Sequence, residues 1–147
     1  MLTAVDVNFG TVHIRACIGA QYINDLGNLV GVESMSSEAN AINDYNEVAG
    51  ATTVSGGQYH AFWKDGYSGK NQGFIDLGML AGDNTSVALG LNNYGHAVGY
   101  SVNTTTGNQR AVVWFSNGVM WDLTAQVGAA NGWALKSATA INNDGWI

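Results

Sequence analysis

The sequence predicts an all-β fold built from about three tandem copies of a roughly 50-residue unit, arranged like the blades of a β-propeller. Three sequence motifs recur in the same order at one period, and short apolar runs alternate with Asn/Gly turns. No window of about 11 residues shows the apolar stripe of an amphipathic helix. A β-solenoid and a split β-sandwich are the alternative architectures. We favour the propeller-like array because solenoid rungs are usually shorter than this unit.

An asparagine-containing turn is the first repeated motif. It occurs around Asn43, Asn92 and Asn142, which stand 49 and 50 residues apart. Its middle copy, residues 92–95, is typical of a tight connection in which Asn and Gly supply positive φ.

Two further motifs keep the same period. An Asp-Leu-Gly segment occurs as Asp25-Leu26-Gly27, as Asp76-Leu77-Gly78 and as the degenerate Asp122-Leu123. The stretch Tyr59–Trp63 returns as Gln109–Trp114. This match predicts that Trp63 and Trp114 occupy equivalent core positions on their strands.

Each unit is expected to form four short strands separated by tight turns. In the second copy these strands are Ser86–Leu91, Ala97–Val102, Arg110–Phe115 and Val119–Leu123. The run Ala111–Phe115 is almost continuously apolar, which suits a sheet that is buried on both faces.

The whole chain, residues 1–147, is interpreted as a single repeat domain. The repeat copies are expected at about 22–72, 73–120 and 121–147, with the last copy incomplete. Residues 1–21 are interpreted as degenerate N-terminal strands, in which Thr3–Ile14 resembles a worn copy of the repeated hairpin.

The composition argues against several classes of protein. The net charge is −6 and the five Lys and Arg residues are scattered, whereas nucleic-acid binding needs a clustered basic footprint. The apolar runs are far shorter than the ~18 residues of a membrane-spanning helix. The single cysteine, Cys17, is interpreted as a small buried hydrophobic residue, and one cysteine excludes an internal disulfide. The first residues lack the pattern of a signal peptide.

The repeated motifs together resemble the bacterial "extracellular repeat, HAF family". The tripeptide that gives this family its name occurs as His60-Ala61-Phe62, beside the Asp-Leu-Gly segments and the asparagine turns. The resemblance covers about Ile23 to Ile147, although Arg110 stands where the tripeptide histidine would recur in the second copy. It implies secretion or exposure at the cell surface, and it implies no catalytic residues.

The titratable residues of the motifs are expected to have structural roles. His60 is interpreted as a packing residue beside Trp63 rather than as an acid, a base or a metal ligand. The recurring aspartates, Asp25, Asp76 and Asp122, are expected to cap backbone N–H groups where strands end. The asparagine turns lack the ligand spacing of a hand-type calcium loop. The sequence therefore predicts no catalytic residue, no cofactor and no metal site.

Three tryptophans are the best candidates for a surface that binds a ligand or partner: Trp121, Trp133 and Trp146. The expected function is a non-catalytic interaction or scaffold module, because rigid repeat arrays carry function on their loops. A carbohydrate-binding, lectin-like module is the alternative, followed by an acid/base enzyme with aspartates in a central channel.

The repeat number leads to an expectation about assembly. Natural propellers close with about 4–8 blades, so three units are expected to associate, most simply as a homodimer with terminal strands paired across the interface. Closure within one chain, with the N-terminal strands completing the last blade, is the alternative. The partner is therefore expected to be a second copy, together with a glycan or another protein.

Overall fold

The computed structural model of this chain describes residues 17–18, 21–22, 37–54, 56–66, 74–128 and 132–147. These residues are mostly β, with two four-stranded antiparallel sheets and one short helix. A small separate hairpin consists of β1 (Cys17–Ile18) and β2 (Gln21–Tyr22). The predicted all-β class is therefore confirmed.

The first sheet is a meander in which each strand pairs with the next along the chain. Its strands are β3 (Ser37–Ile42), β4 (Val48–Thr53), β5 (Tyr59–Lys64) and β6 (Phe74–Asp76). Every residue of β4 is buried, since this strand lies in the interior of the sheet and both of its faces are covered.

The second sheet repeats that topology. Its strands are β7 (Thr85–Leu91), β8 (Ala97–Asn103), β9 (Asn108–Trp114) and β10 (Met120–Asp122). The strands expected from the sequence agree with these bounds to within two residues. A five-residue helix, α1 (Leu123–Val127), follows β10 and was not expected.

The two sheets share a bulge and a close backbone contact. Ala39 faces Gly50 and Ala88 faces Gly99, and the register shifts by one residue immediately after each pair. A Cβ atom at Gly99 would overlap with the Val87 carbonyl oxygen, and the same overlap occurs in the first sheet. Glycine is therefore required where the second strand crosses the bulge.

The expected equivalence of Trp63 and Trp114 is wrong. Phe62 in β5 faces the bulge glycine Gly50, and Val112 in β9 faces the bulge glycine Gly99. From these residues onward, both β5 and β9 continue without a break in register. Trp114 therefore corresponds to Lys64, whereas Trp63 corresponds to Val113. Because side chains alternate between faces, a one-residue shift puts the two tryptophans on opposite faces of their own sheets.

The main core lies between the two sheets. Ala49 and Ala61 of the first sheet are packed with Val112 and Trp114 of the second, and Trp63 lies half-buried at the same cluster. The small side chains of the first sheet allow the larger ones of the second to approach closely. Trp114 is thus confirmed as a core residue.

Residues 132–141 cover the opposite face of the second sheet. Their inward side chains, Leu135, Ala138 and Ile141, pack against a second core cluster around Val98 and Val113. The Ala111 N–H donates a hydrogen bond to the Leu135 carbonyl at 2.9 Å, and the Ala138 N–H donates to the Gly99 carbonyl at 3.1 Å. These residues hold the same position on the second sheet that β7 holds on the first.

The three asparagine turns have one structure. In the middle copy, the Asn92 side-chain oxygen accepts hydrogen bonds from the Tyr94 and His96 N–H groups, both at 3.0 Å. The left-handed position of the turn is occupied in the three copies by Asn46, Gly95 and Gly145, with φ of 62°, 72° and 82°. Within residues 92–95 only Gly95 has positive φ, so the prediction for that copy is confirmed for the glycine and not for the asparagines.

The turns are also bonded to one another across the sheets. The Asn43 side-chain N–H donates to the Asn92 carbonyl at 2.9 Å, and the Asn92 side chain donates to the Asn142 carbonyl at 3.1 Å. The next position adds bonds from the Asp44 N–H to Asn93 and from the Asn93 N–H to Asn143. We call this set of cross-unit bonds the asparagine ladder.

Several expectations fall on other parts of the chain. The first Asp-Leu-Gly segment, at Asp25, and the N-terminal hairpin copy, Thr3–Ile14, lie outside the described residues. The side chain of Cys17 is likewise not described. The first sheet ends with Asp76, which the sequence interpretation assigned to the second copy, so sheets and sequence copies divide the chain at different points.

Candidate functional site

The three tryptophans selected from the sequence are exposed. Trp121 in β10 exposes 46% of its surface, Trp133 exposes 69% and Trp146 exposes 77%. Exposed aromatic side chains are informative only where they form a contiguous patch, so their arrangement on the surface matters.

The tryptophans do not form a single group. In the second sheet, the asparagine turn and the loop 115–119 lie at the same end, because both connect strands in the same sense of the meander. Trp121 contacts this end through Phe115, and Trp146 lies in the asparagine turn of residues 142–146. Trp133 lies near the start of residues 132–141, whereas Asn142 follows directly after them. Trp133 is therefore at the opposite end of the second sheet from the asparagine turn.

A row of four aromatic rings connects the second asparagine turn to Trp121. Tyr94 and His96 have ring centroids 6.1 Å apart, His96 and Phe115 meet edge to face at 5.0 Å, and Phe115 and Trp121 do so at 4.8 Å. Such tilted contacts are the favoured geometry for aromatic pairs. We call these four residues the aromatic row. Both of its end members, Tyr94 and Trp121, are exposed.

The stacked turns extend this aromatic surface. Tyr45 holds the same position in the first turn as Tyr94 in the second, and both are exposed. Between them lie the amide and carboxylate groups of the asparagine ladder, including a 2.7 Å bond from the Asn93 side chain to Asp44. Sequence reasoning missed the tyrosines, although their shared place two residues after Asn43 and Asn92 was a usable signal.

His60 pairs with Asp76 across the edge of the first sheet. The two side chains approach to 2.8 Å, and the other oxygen of Asp76 accepts a hydrogen bond from the Gly78 N–H, also at 2.8 Å. The prediction that Asp76 caps backbone N–H groups is confirmed. The prediction for His60 missed this contact with Asp76, although the two motifs that carry His60 and Asp76 recur together in the sequence.

The second sheet carries the equivalent pair, Arg110 and Asp122, at 3.6 Å. Asp122 also caps α1, since it accepts hydrogen bonds from the Thr124 and Ala125 N–H groups. Capping by Asp122 is thus confirmed. Asp76 and Asp122 thus each contact a side chain of the neighbouring strand in their own sheet.

A third aspartate was not identified from the sequence. The side chain of Asp83 is 2% exposed, contacts Arg110 at 2.9 Å and accepts a hydrogen bond from the Ser101 hydroxyl at 2.6 Å. A buried carboxylate needs such partners, so this cluster fixes the connection between the sheets onto β8 and β9. Ser86 also holds the connection between the two sheets. Its hydroxyl donates a hydrogen bond to the Gly78 carbonyl and accepts one from the Ala61 N–H of β5.

Lys64 is the one described group with a resolved shift in pKa. Burial in the first sheet lowers the pKa of its ammonium group below 10.5, and the nearby Asp65 carboxylate partly opposes that effect. The ammonium also donates a hydrogen bond to the Asp65 carbonyl at 3.1 Å. These contacts indicate a structural lysine.

The described residues contain neither a metal-binding cluster nor a membrane-spanning helix. Among the described residues, no group of three His, Cys, Asp or Glu side chains is placed to hold a metal ion. Over that same part of the chain, no helix has the length and apolar character required to cross a membrane. Comparisons with protein-family models, with curated proteins and with solved structures find no match.

Proposed function

We propose that this chain is a non-catalytic interaction or scaffold module, made of about three β-units stacked in the manner of propeller blades. The asparagine ladder carries the proposal, because it joins, in chain order, three turns that are closed by the same backbone hydrogen bonds. Repeat arrays of this type offer rigid extended surfaces, and each unit is stabilised mainly by its neighbours.

The engagement of the titratable side chains supports a non-enzymatic role. Asp76 and Asp122 are used in turn and helix caps, and Asp83 is buried against Arg110. A general acid or base must instead reach a substrate proton. The test is a screen of the purified chain for hydrolase and lyase activities, with Asp76→Asn and His60→Gln as variants. An activity that both variants abolish would overturn the proposal.

The surface that carries the interaction is the aromatic row together with Tyr45 and Trp146. It combines exposed rings with amide and carboxylate groups at one end of the sheets. Tyrosine and tryptophan give large contact areas while keeping a polar atom available, which explains their enrichment in binding surfaces.

Carbohydrate is the second candidate ligand, and one observation favours it. Trp121, Trp133 and Trp146 all have exposed rings, which sugars can stack on. A glycan array tests this candidate. We expect binding to be lost in the double variant Trp121→Ala/Trp146→Ala and retained in the control Trp133→Ala, because Trp133 lies at the other end. An array without any bound glycan would remove the candidate.

The assembly and location follow as further proposals. We propose a homodimer, supported by the exposed apolar side chains of residues 132–147, and an extracellular or cell-surface location, supported by the resemblance to the HAF repeats. Light scattering at micromolar concentration should give twice the chain mass of 15.4 kDa, and a strict monomer would contradict the dimer. Protease accessibility on intact cells checks the location.

A further inference from the structure

The first two asparagine turns carry carboxylates that are contacted only by neutral amides. Asp44 is exposed, and one of its oxygens accepts a hydrogen bond from the Asn93 side chain at 2.7 Å. Glu47 is half-buried, and its carboxylate accepts a hydrogen bond from the Asn43 side chain. Among the described residues, no Lys, Arg or His lies within ion-pairing distance of either carboxylate. Their negative charge is therefore not balanced by a cation in this part of the structure.

Three carboxylates elsewhere on the two sheets have basic partners. Arg110 contacts Asp83 at 2.9 Å and Asp122 at 3.6 Å. The third carboxylate, Asp76, contacts His60 at 2.8 Å. The two turns differ from this pattern, and they belong to a chain whose net charge is −6. Charge of one sign that is not balanced locally attracts partners of the opposite sign.

Two exposed tyrosines stand on the same two turns. Tyr45 exposes 53% of its surface and Tyr94 exposes 64%. Each tyrosine N–H donates a hydrogen bond at 3.0 Å to the asparagine side-chain oxygen of its own turn. The turns are held together because the Asp44 N–H donates to the Asn93 side chain at 3.2 Å, and that side chain donates back to the Asp44 carboxylate. The backbone that carries both tyrosines is therefore fixed before any partner binds.

Arginine is the protein side chain that best matches this combination of groups. Its planar guanidinium stacks on aromatic rings and donates paired hydrogen bonds to carboxylates. Asp44 has acceptor positions left for such bonds, because a carboxylate accepts about four hydrogen bonds and Asn93 supplies only two of its contacts. The two turns, residues 43–47 and 92–96, contain no Lys or Arg that would repel an incoming cation. Neutral sugars also stack on aromatic rings, but a net negative charge does not attract them.

We propose that residues 43–47 and 92–96 form a docking surface for an arginine-bearing segment of another protein. The guanidinium groups of that segment stack on Tyr45 and Tyr94 and donate hydrogen bonds to Asp44. The inference rests on the proposed interaction role and deepens it by naming the chemistry of the partner. It is carried by the exposure of the two rings and by the carboxylates that lack a cation beside them.

The test uses the full chain and two synthetic peptides. One peptide alternates arginine with glycine, and the other carries citrulline in place of each arginine, which keeps the shape and removes the charge. Binding is followed by NMR shifts of the ¹⁵N-labelled chain at peptide concentrations up to the millimolar range. We expect the arginine peptide to shift the amides of residues 43–47 and 92–96, and the citrulline peptide to bind at least about tenfold more weakly.

Two variants of the chain locate the charge that matters. Asp44→Asn should weaken the arginine peptide about threefold or more, because the guanidinium loses an ionised acceptor. This variant keeps an acceptor for Asn93, and asparagine already stands at the equivalent position of the other two turns. The matched control is Glu38→Gln, which removes one exposed carboxylate from β3 outside the turns and should leave binding unchanged.

Three results would overturn the inference: no shifts in the two turns, equal binding of the two peptides, or equal losses in Asp44→Asn and Glu38→Gln. A glycan that binds this surface while the arginine peptide has no effect would also overturn it and identify carbohydrate as the ligand, with the interaction role intact. An enzymatic activity that the Asp76 and His60 variants abolish would instead overturn the interaction role, whatever the peptides do. Failure of the inference and failure of the proposed function are therefore distinguishable.

Discussion

Asparagine performs a double task in this chain that few other side chains could perform. The Asn92 oxygen accepts two N–H groups within its own turn, while its amide N–H donates to the Asn142 carbonyl of the next unit. An aspartate could accept but not donate, and an alanine could do neither. Asn92 is also almost fully buried, so each lost partner would leave a polar group without water.

Replacing Asn92 with alanine should therefore be costly. We expect a loss of about 3 kcal/mol in the free energy of unfolding, because buried backbone groups lose their partners. The control is Asn117→Ala, which loses a single exposed bond to the Val119 N–H and should cost about 1 kcal/mol or less. Urea unfolding followed by tryptophan fluorescence measures both. Equal losses would contradict the role given to the ladder.

The left-handed position of the turn gives a second prediction. Gly95→Ala should destabilise the chain by about 1–2 kcal/mol, since φ there is 72° and alanine is strained in that region. Gly95→Asn should cost less, because Asn46 already occupies the equivalent position with φ of 62°. Thermal unfolding of the two variants compares them, and an asparagine variant weaker than the alanine variant would count against equivalent turns.

The buried Lys64 predicts a pH dependence. Because burial lowers its pKa in the folded chain below 10.5, the unfolded chain binds more protons between the folded pKa and 10.5. The free energy of unfolding contributed by this group therefore rises with pH across that window. Relative to Lys64→Met, the wild-type chain should gain stability between pH 7 and 10.5 in urea titrations. A constant difference would show that the ammonium is not desolvated.

At the scale of elements, the strands were predictable and their relative register was not. Alternating apolar runs and Asn/Gly turns fixed the bounds of β7 to β10 to within two residues. The match of Trp63 to Trp114 failed because it assumed one inserted residue, whereas the structure keeps both strands regular and shifts the tryptophan to the other face. Helix α1 was missed because five residues are too few for an apolar period, although Asp122 marks its N-cap.

The bulge glycine is the element-scale determinant of register. Gly99→Ala should destabilise the chain by about 3 kcal/mol or more, because its Cβ would overlap with the Val87 carbonyl and the paired strands would have to separate. The control Gly118→Ala has an open surrounding and should cost only the strain of its positive φ, about 1–2 kcal/mol. Chemical denaturation measures both, and equal costs would contradict a steric requirement at the bulge.

At the scale of the whole molecule, the sequence period anticipated the cross-unit contacts. A fixed spacing between asparagines implied equivalent turns, and the ladder is their physical connection. The aromatic row could not be anticipated in full, since His96 and Phe115 meet only after the strands pair. The sequence did select Trp133 and Trp146 as surface candidates, and both are exposed, but it did not indicate that they lie at opposite ends of the second sheet.

The central claim is that each unit is held mainly by the unit before it, through the ladder and one sheet face. Native-state hydrogen exchange of the wild-type chain and of Asn92→Asp tests this most directly, because the variant keeps the acceptor within its turn and removes the amide donor, which bonds to the Asn142 carbonyl and also contacts His96. We predict that the amides of residues 132–147 lose protection while those of β4 and β5 keep theirs. Equal loss in both regions, or no loss in either, would contradict the account.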